Sequence, residues 1–328
     1  MIRLTRRDLG LIASATALNA VSFGKDALAQ AYPSQDIHFI VGFAPGSGPD
    51  LIARWIAEKI RPHLDNRTIL IENKVGAGGN IATEYVARAK PDGYVLYITG
   101  GSALAASGHL FKNPPVDVTK AFQSIATLAR QPTLVVVGPN SLYKTIAELQ
   151  AGLKSKGDKA SYGTAFPTAR VLGAILRDSA GGKAVEVQYR TSADWINDLA
   201  SGTLDFAIID SASGGGHARQ GRIRIVAVST ADRFSTMPEV PTLKESGVDV
   251  NSAGWWAAYT PAGTPAAILD QLHTAFTTVV KSPEAKTFFN GISNEPWPMT
   301  RAQAHEAYLK EYRDWGEYVR IAKIEPQG

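Results

Sequence analysis

The 328-residue sequence has no cysteine and only three methionines. Without thiols there is no disulfide, no thiolate zinc site, no Cys-held iron–sulfur cluster and no cysteine nucleophile. It also lacks any window of about five or six clustered Lys or Arg residues, the mark of a phosphate-tracking surface. No run approaches the roughly 18 consecutive apolar residues of a membrane span. The six histidines are scattered, with none at H-x-x-x-H spacing, so no metal motif is present. What remains is 45% hydrophobic and 20% charged. That is the composition of a folded soluble protein, long enough for two domains with cores of their own.

The formal charge of +4 divides unevenly. Arg3, Arg6, Arg7 and Lys25 against Asp8 and Asp26 give the first 29 residues half of it. These arginines precede an apolar stretch, Leu9 to Phe23, and the segment closes on Ala27-Leu28-Ala29. A basic start, a short apolar centre and a small-x-small end form an export signal, and the pattern predicts cleavage after Ala29. The pair Arg6-Arg7 fits a twin-arginine signal, and an ordinary positive n-region for the general secretory route fits equally. A bacterial periplasmic location is expected.

Beyond this segment, strand, glycine-rich loop and helix alternate. A strand over 36–43 ends in the loop Ala44 to Pro49, and Asp50 then opens a helix in which Leu51, Ile52, Trp55, Ile56 and Ile60 recur at helical spacing. Strand 68–72 leads through Gly76-Ala77-Gly78-Gly79 into a helix over 80–89. Strand 94–99 ends in Gly100-Gly101-Ser102. This alternation predicts an α/β fold with a largely parallel sheet, whose ligands collect beyond the carboxyl ends of the strands. A second cycle begins with an apolar strand at 133–137. Strands at 160–163, 185–189, 204–210 and 222–229 alternate with helices near 145–153, 168–180, 193–201 and 212–220. The apolar strand 254–260 precedes helices near 265–281, 283–290 and 300–321. Two crossover strands bracketing a central block predict a discontinuous first lobe, 30–132 plus 255–328, with 133–254 as the second.

The glycine loops do not match catalytic templates. Gly76-Ala77-Gly78-Gly79-Asn80-Ile81 lacks the third glycine of G-x-G-x-x-G, and Gly42 to Gly48 has no following Lys-Ser/Thr. Neither Ser47 nor Ser102 lies in a G-x-S-x-G elbow. What the loops offer is backbone N–H groups at the positive ends of helices, which hold anions without basic side chains. Each glycine can equally serve only a tight βα turn. The expectation is a binding protein with no enzymatic activity, cofactor, metal or nucleic-acid partner.

Several motifs, in order along the chain, resemble a known family. Phe43-Ala44-Pro45-Gly46-Ser47-Gly48-Pro49-Asp50 with Ala53-Arg54 resembles the F-P-P-G-G-x-x-D…A-R segment of the Bug proteins, the TctC-type substrate-binding components of tripartite tricarboxylate transporters. Glu72-Asn73-Lys74-Val75-Gly76-Ala77-Gly78-Gly79-Asn80 is similar to their E-N-x-x-G-A-G-G signature, and Ala89 to Tyr94 to their A-x-P-D-G-Y. Met237 to Thr242 and Pro261 to Pro265 follow in the family's order. The resemblance implies a two-lobed periplasmic-binding-protein fold, type II-like, that closes on a small organic carboxylate, aliphatic or aromatic. It also implies membrane transporter subunits as partners, and the chain itself is expected to be a monomer.

On the same resemblance, Phe43, Ala44, Ser47, Gly48, Asp50, Gly78, Gly79 and Asn80 face the ligand from the first lobe, with Ser102 at the end of the third strand. Tyr162, Thr164, Ala165, Phe166 and Thr168 face it from the second, together with Asp210. Arg190 and Arg170 are basic candidates for a distal carboxylate, and Trp256 or its neighbour Trp255 faces the cleft while the other faces the core, since strand neighbours point oppositely. The chain departs from the family pattern at Phe166-Pro167-Thr168, at Gln188-Tyr189-Arg190-Thr191 and at Asp210-Ser211, which counts against a standard dicarboxylate. Phe166 fits a cover for an aromatic or longer apolar ligand, or packing in its own lobe. Two other readings of the same residues stay open. One is an exported α/β hydrolase or isomerase using Asp50 or Asp210 as base; the other is a sensor reporting to a signalling partner.

Overall fold

The computed structural model describes residues 32–327 apart from 113 and 115. The expected export signal and its cleavage point lie outside the described residues. The chain divides into a segment ending at Ser34, of which residues 32–34 are described with a cis Tyr32–Pro33 peptide, and a compact unit from Gln35 onward.

Its strands form one mixed sheet. β1 (Ile37–Val41) pairs in parallel with β2 (Ile69–Asn73) and with β3 (Val95–Gly100). β4 (Phe122–Val137), β5 (Ser161–Thr164), β6 (Val185–Gln188), β7 (Phe206–Asp210), β8 (Arg224–Val228) and β9 (Ala253–Pro261) complete the path β2-β1-β3-β9-β4-β7-β5-β6, with β8 and the two-residue β10 (Glu295–Pro296) also on β4. β5 is parallel to both β6 and β7, whereas every contact of β4 and β9 is antiparallel. The expected parallel order therefore holds inside each βα block. The strands joining the blocks run against it.

β4 is much longer than the apolar run 133–137 that the sequence displays. Its first part pairs with β9 as far as Pro132, and from Thr133 it pairs with β7 and β8. Polar residues and Pro132 conceal that first part. Pro132 is tolerated because it sits where β4 changes partners, so its missing N–H breaks no continuous ladder.

Helices cover the sheet along the stripes that their spacing dictates. α1 (Gly48–Ile60) buries Ile52, Ala53, Ile56 and Ile60, starts two residues before Asp50 and ends as Arg61–His63 tightens around Pro62. α2 (Asn80–Ala87) follows the second glycine loop. α3 (Gly101–Ser107) occupies a stretch of small residues whose spacing predicts no helix, and it packs against the last helix. In the second block come α4 (Ile146–Lys156), α5 (Pro167–Ser179), α6 (Ser192–Ser201) and α7 (Ser211–Arg219). The chain closes with α8 (Ala266–Val280), α9 (Pro283–Gly291) and α10 (Arg301–Ile321). Aromatic pairs fasten these helices to one another and to the sheet: Phe39 stacks on Phe276, and Trp55 lies flat on Phe288 with ring centroids 4.5 Å apart. Among the described residues no helix is long and apolar enough to cross a membrane.

Candidate functional site

The carboxyl ends of β3 and β7 and the loops after β1 and β5 surround a cavity of about 420 Å³. Its wall is mainly apolar, with Phe43, Ala44, Leu51, Phe166, Trp255, Trp256 and Ile292. Small-molecule sites commonly have this size and character.

Four helices of at least nine residues begin at this cavity. Gly46, Ser47 and Pro49 bring the start of α1, Phe166 and Thr168 that of α5, Thr191 to Ala193 that of α6, and Asp210, Ala212 and Ser213 that of α7. Each start carries N–H groups with no partner in its own helical ladder and roughly half a positive charge at its tip. The starts of α6 and α7 are capped within the protein: Asp194 accepts from the Thr191 N–H at 2.9 Å, and Asp210 from the Ser213 N–H at 2.8 Å. α5 has no such cap, and at α1 the N-cap side chain gives none, the Gly48 N–H donating instead to the hydroxyl of Ser213 at 2.9 Å. The Ser47 hydroxyl donates to the Ala44 carbonyl instead, and Phe166 has no side-chain oxygen to offer.

Ten of the residues expected to face a ligand line the cavity: Phe43, Ala44, Ser47, Ser102, Ala165, Phe166, Thr168, Arg190, Asp210 and Trp256. Seven do not. Asp50, 1% exposed, lies behind the loop and accepts from the Gly46 N–H, Arg54 Nε and Asn73 Nδ2 at 2.8–2.9 Å. Burial alone would raise its pKa, but these three donors outweigh it and hold the carboxylate below its ordinary value. Gly48 is spent on a contact between blocks, donating its N–H to Ser213 Oγ. The Gly79 carbonyl accepts from Thr83 and Tyr97, Gly78 packs near Pro167, and Asn80 opens α2. Tyr162 is a core residue stacked on Phe206 at 4.9 Å, and the Thr164 hydroxyl donates to Glu186 at 2.7 Å.

The two arginine candidates separate. Arg170 donates to Glu186 at 3.2 Å and does not reach the cavity, whereas exposed Arg190 lines it. Arg219, which the sequence reading missed, supplies a second cation and is anchored through the Gly291 carbonyl at 3.0 Å. Both tryptophans line the cavity, contrary to the expected division between cleft and core. β9 reaches the cavity near its start, where the glycines Gly100 and Gly101 leave room for a ring on each side: Trp256 lies by the first and Trp255 over the second. Asp210 is buried, and burial raises its pKa in spite of bonds from Ser213. His217, also on the wall, is pushed down by burial and by Arg222. Thr191 and Ser192 were legible in principle, since Thr191-Ser-Ala-Asp194 has capping-box spacing at a helix start.

Comparison with known proteins agrees with this geometry. Residues 52–323 match the model of the tripartite tricarboxylate transporter family receptor. A UPF0065 protein of Bordetella bronchiseptica is 33% identical over 304 residues, covering 92% of this chain and 89% of that protein. Among solved structures, the periplasmic binding protein BugD superposes with a TM-score of 0.83 at 27% identity, covering 90% of this chain and all of that one. The R. palustris protein Rpa4515, solved with adipate, superposes with a TM-score of 0.85 at 26% identity, over 90% and 99% of the two chains. The fold is thus the two-lobed α/β fold of periplasmic binding proteins.

Proposed function

This chain belongs to the tripartite tricarboxylate transporter family receptors, and on that premise we propose that it captures a small organic carboxylate in the cavity and delivers it to membrane transporter subunits. The observation that carries this reading is the convergence of four helix starts on one apolar-walled cavity, that of α5 without a side-chain cap. Backbone N–H groups at the start of α5 and the hydroxyl of Thr168 replace the water around one carboxylate. Arg190 and Arg219 stand ready for a second charge, and a guanidinium can bind such a group through paired hydrogen bonds. The aromatic wall favours a ligand with an apolar body, and a carboxylate of about six or more heavy atoms would fill it better than a two-carbon one. Adipate in the R. palustris relative is a ligand of this kind.

In this reading the chain is exported, loses its first 29 residues, acts as a monomer, and closes its lobes about the strands near Thr133 and Gly254. Chemistry on the ligand is not part of it. The two carboxylates that could serve as bases are both engaged, Asp50 by three donors behind the wall and Asp210 as the cap of α7. The test is a thermal-shift and calorimetric panel of aliphatic and aromatic carboxylates on protein refolded from denaturant, so that no ligand is carried over. At least one should raise the melting temperature without being consumed. A panel in which none binds, or in which one is turned over, overturns the reading.

A further inference from the structure

Behind the cavity wall, three hydrogen-bond donors converge on Glu311 of α10. Ser102 Oγ donates to Oε1 at 2.5 Å, Trp315 Nε1 donates to the same oxygen at 3.2 Å, and Trp255 Nε1 donates to Oε2. Ser102 and Trp255 both line the cavity, whereas Glu311 does not. Glu311 thus touches the site only through these two residues, one of them 209 positions away in sequence.

The three donors are not equivalent. An indole N–H can only donate, so neither tryptophan can reverse its bond. A serine hydroxyl carries one proton and two lone pairs. When Glu311 is ionised it accepts only, and the single proton of Ser102 is committed to it. Ser102 then presents nothing but lone pairs to the cavity. A ligand atom at that position has to bring the proton itself, and an ionised carboxylate oxygen there meets another acceptor.

We propose that Glu311 is a specificity-determining positioning residue: by taking the Ser102 proton it makes this end of the cavity select carboxylates that also bear a hydroxyl or ammonium donor. This rests on the carboxylate-binding reading above and deepens it. Protonation of Glu311 reverses the arrangement. The new proton on Oε1 is donated to Ser102 Oγ, the two tryptophan bonds persist, and the serine's own proton turns into the cavity, where it meets a plain carboxylate oxygen. Selectivity is therefore coupled to the charge on a side chain that the ligand never touches.

The surroundings place that change in an accessible range. Burial, opposed by the three donors and reinforced by Asp314, pushes the Glu311 carboxyl up to about 7. The titratable neighbours on its own helix are Tyr308, Lys310, Tyr312 and Asp314, and Lys310 is held by Asp314. β9 adds Tyr259, α3 brings no charged residue, and His109 just beyond α3 lies with Nε2 2.7 Å from the Tyr312 carbonyl. The charged residues of the other elements packed on α10 are Arg130 of β4 and Arg170, Arg177 and Asp178 of α5. Arg130 is paired with Glu295, Arg170 with Glu186, and Arg177 with Asp178.

The test compares matched probes differing by one hydroxyl, malate against succinate and 4-hydroxybenzoate against benzoate, by calorimetry between about pH 6 and pH 8. In the wild type, the preference for the hydroxylated member should grow about fivefold or more as pH rises through the Glu311 range, the worth of one net hydrogen bond. Glu311→Gln, which cannot titrate, should make the ratio independent of pH. Ser102→Ala should bring it close to one throughout. A wild-type ratio that does not move with pH, or a Ser102→Ala protein that keeps both the preference and its pH dependence, overturns the proposal while leaving carboxylate binding intact. If no member of either pair binds, the proposal falls together with the reading beneath it.

Discussion

The Gly48 N–H donates to the Ser213 hydroxyl at 2.9 Å, tying the first glycine loop to the start of a helix 165 residues further on. The bond joins the two βα blocks at the rim of the cavity. It depends on the absence of a side chain: a Cβ on Gly48 would lie 2.6 Å from the Ala212 Cβ and 2.7 Å from Asp210 Oδ1. Neither neighbour has a flexible end that can retreat.

Gly48→Ala should therefore hold the blocks apart at this point. The expected loss is about tenfold or more in carboxylate affinity, in line with the ~1–3 kcal/mol cost of overpacking. On the lobe-closure reading proposed above, the blocks meet here most tightly when ligand is bound, so the melting temperature of the ligand-free protein should move less than that of the complex. Calorimetry and thermal shift on the same samples read both quantities.

Asp50 acts on the loop from behind. Asp50→Asn removes the charge and turns an N–H toward at least one of its three donors, which should cost about 1–3 kcal/mol of stability at neutral pH. The pH dependence has a definite sign. The folded-state pKa is lowered, so the carboxylate's contribution is fully present above the ordinary carboxylate value and is lost as pH falls through the lower, folded-state value. The stability gap between wild type and variant, followed by denaturant titration, should close on acidification. A gap that stays constant down to strongly acidic pH would contradict the assignment.

Arg190 and Arg219 make distinguishable contributions if a second ligand charge lies on their side. Arg190→Gln should weaken a dicarboxylate about five- to tenfold and reduce the salt dependence of binding, while a monocarboxylate of similar size changes little. Arg219→Gln should do less, because that guanidinium is partly committed to the Gly291 carbonyl. Equal losses for mono- and dicarboxylates would show that neither arginine reads the second charge.

Trp256 couples the site to the core. Its Nε1 donates to Asn294 Oδ1 at 2.8 Å, and Asn294, fully buried, donates to the Ser211 hydroxyl and the Ile292 carbonyl. Trp256→Phe strands the amide oxygen at an expected cost of about 1–3 kcal/mol. It should also diminish the change in tryptophan fluorescence on ligand addition, leaving the share due to Trp255. Measuring emission and denaturant stability on one variant separates the two effects.

Much of the molecule is legible in the residues themselves. The helical stripe of Ile52, Ile56 and Ile60 and the apolar strands at 206–210 and 253–261 follow from the periodicity with which each element buries one face. The glycine loops and their order along the chain point to the family on their own. The first part of β4 and the helix α3 escape such a reading. Ser124, Thr127 and Pro132 interrupt the hydrophobic signal of a strand whose burial comes from partners on both sides, and α3 consists of small residues stabilised by packing on α10.

At the candidate site the division is sharper. Local sequence dictates which loops lie at strand ends and helix starts, because those positions depend on neighbours a few residues away. Which side chains in those loops face the cavity depends on long-range packing. Asp50 turns to Arg54 and Asn73, Arg170 to Glu186, and Tyr162 to Phe206, while Arg190 and both tryptophans reach the wall. Glu311 joins Ser102 across 209 residues, with no local pattern announcing either partner. The physical reason is that secondary structure reflects the burial of a face, a short-range periodic property. The direction of a polar side chain reflects which donor or acceptor is left unsatisfied nearby, and here the long-range packing of the two blocks brings those partners together.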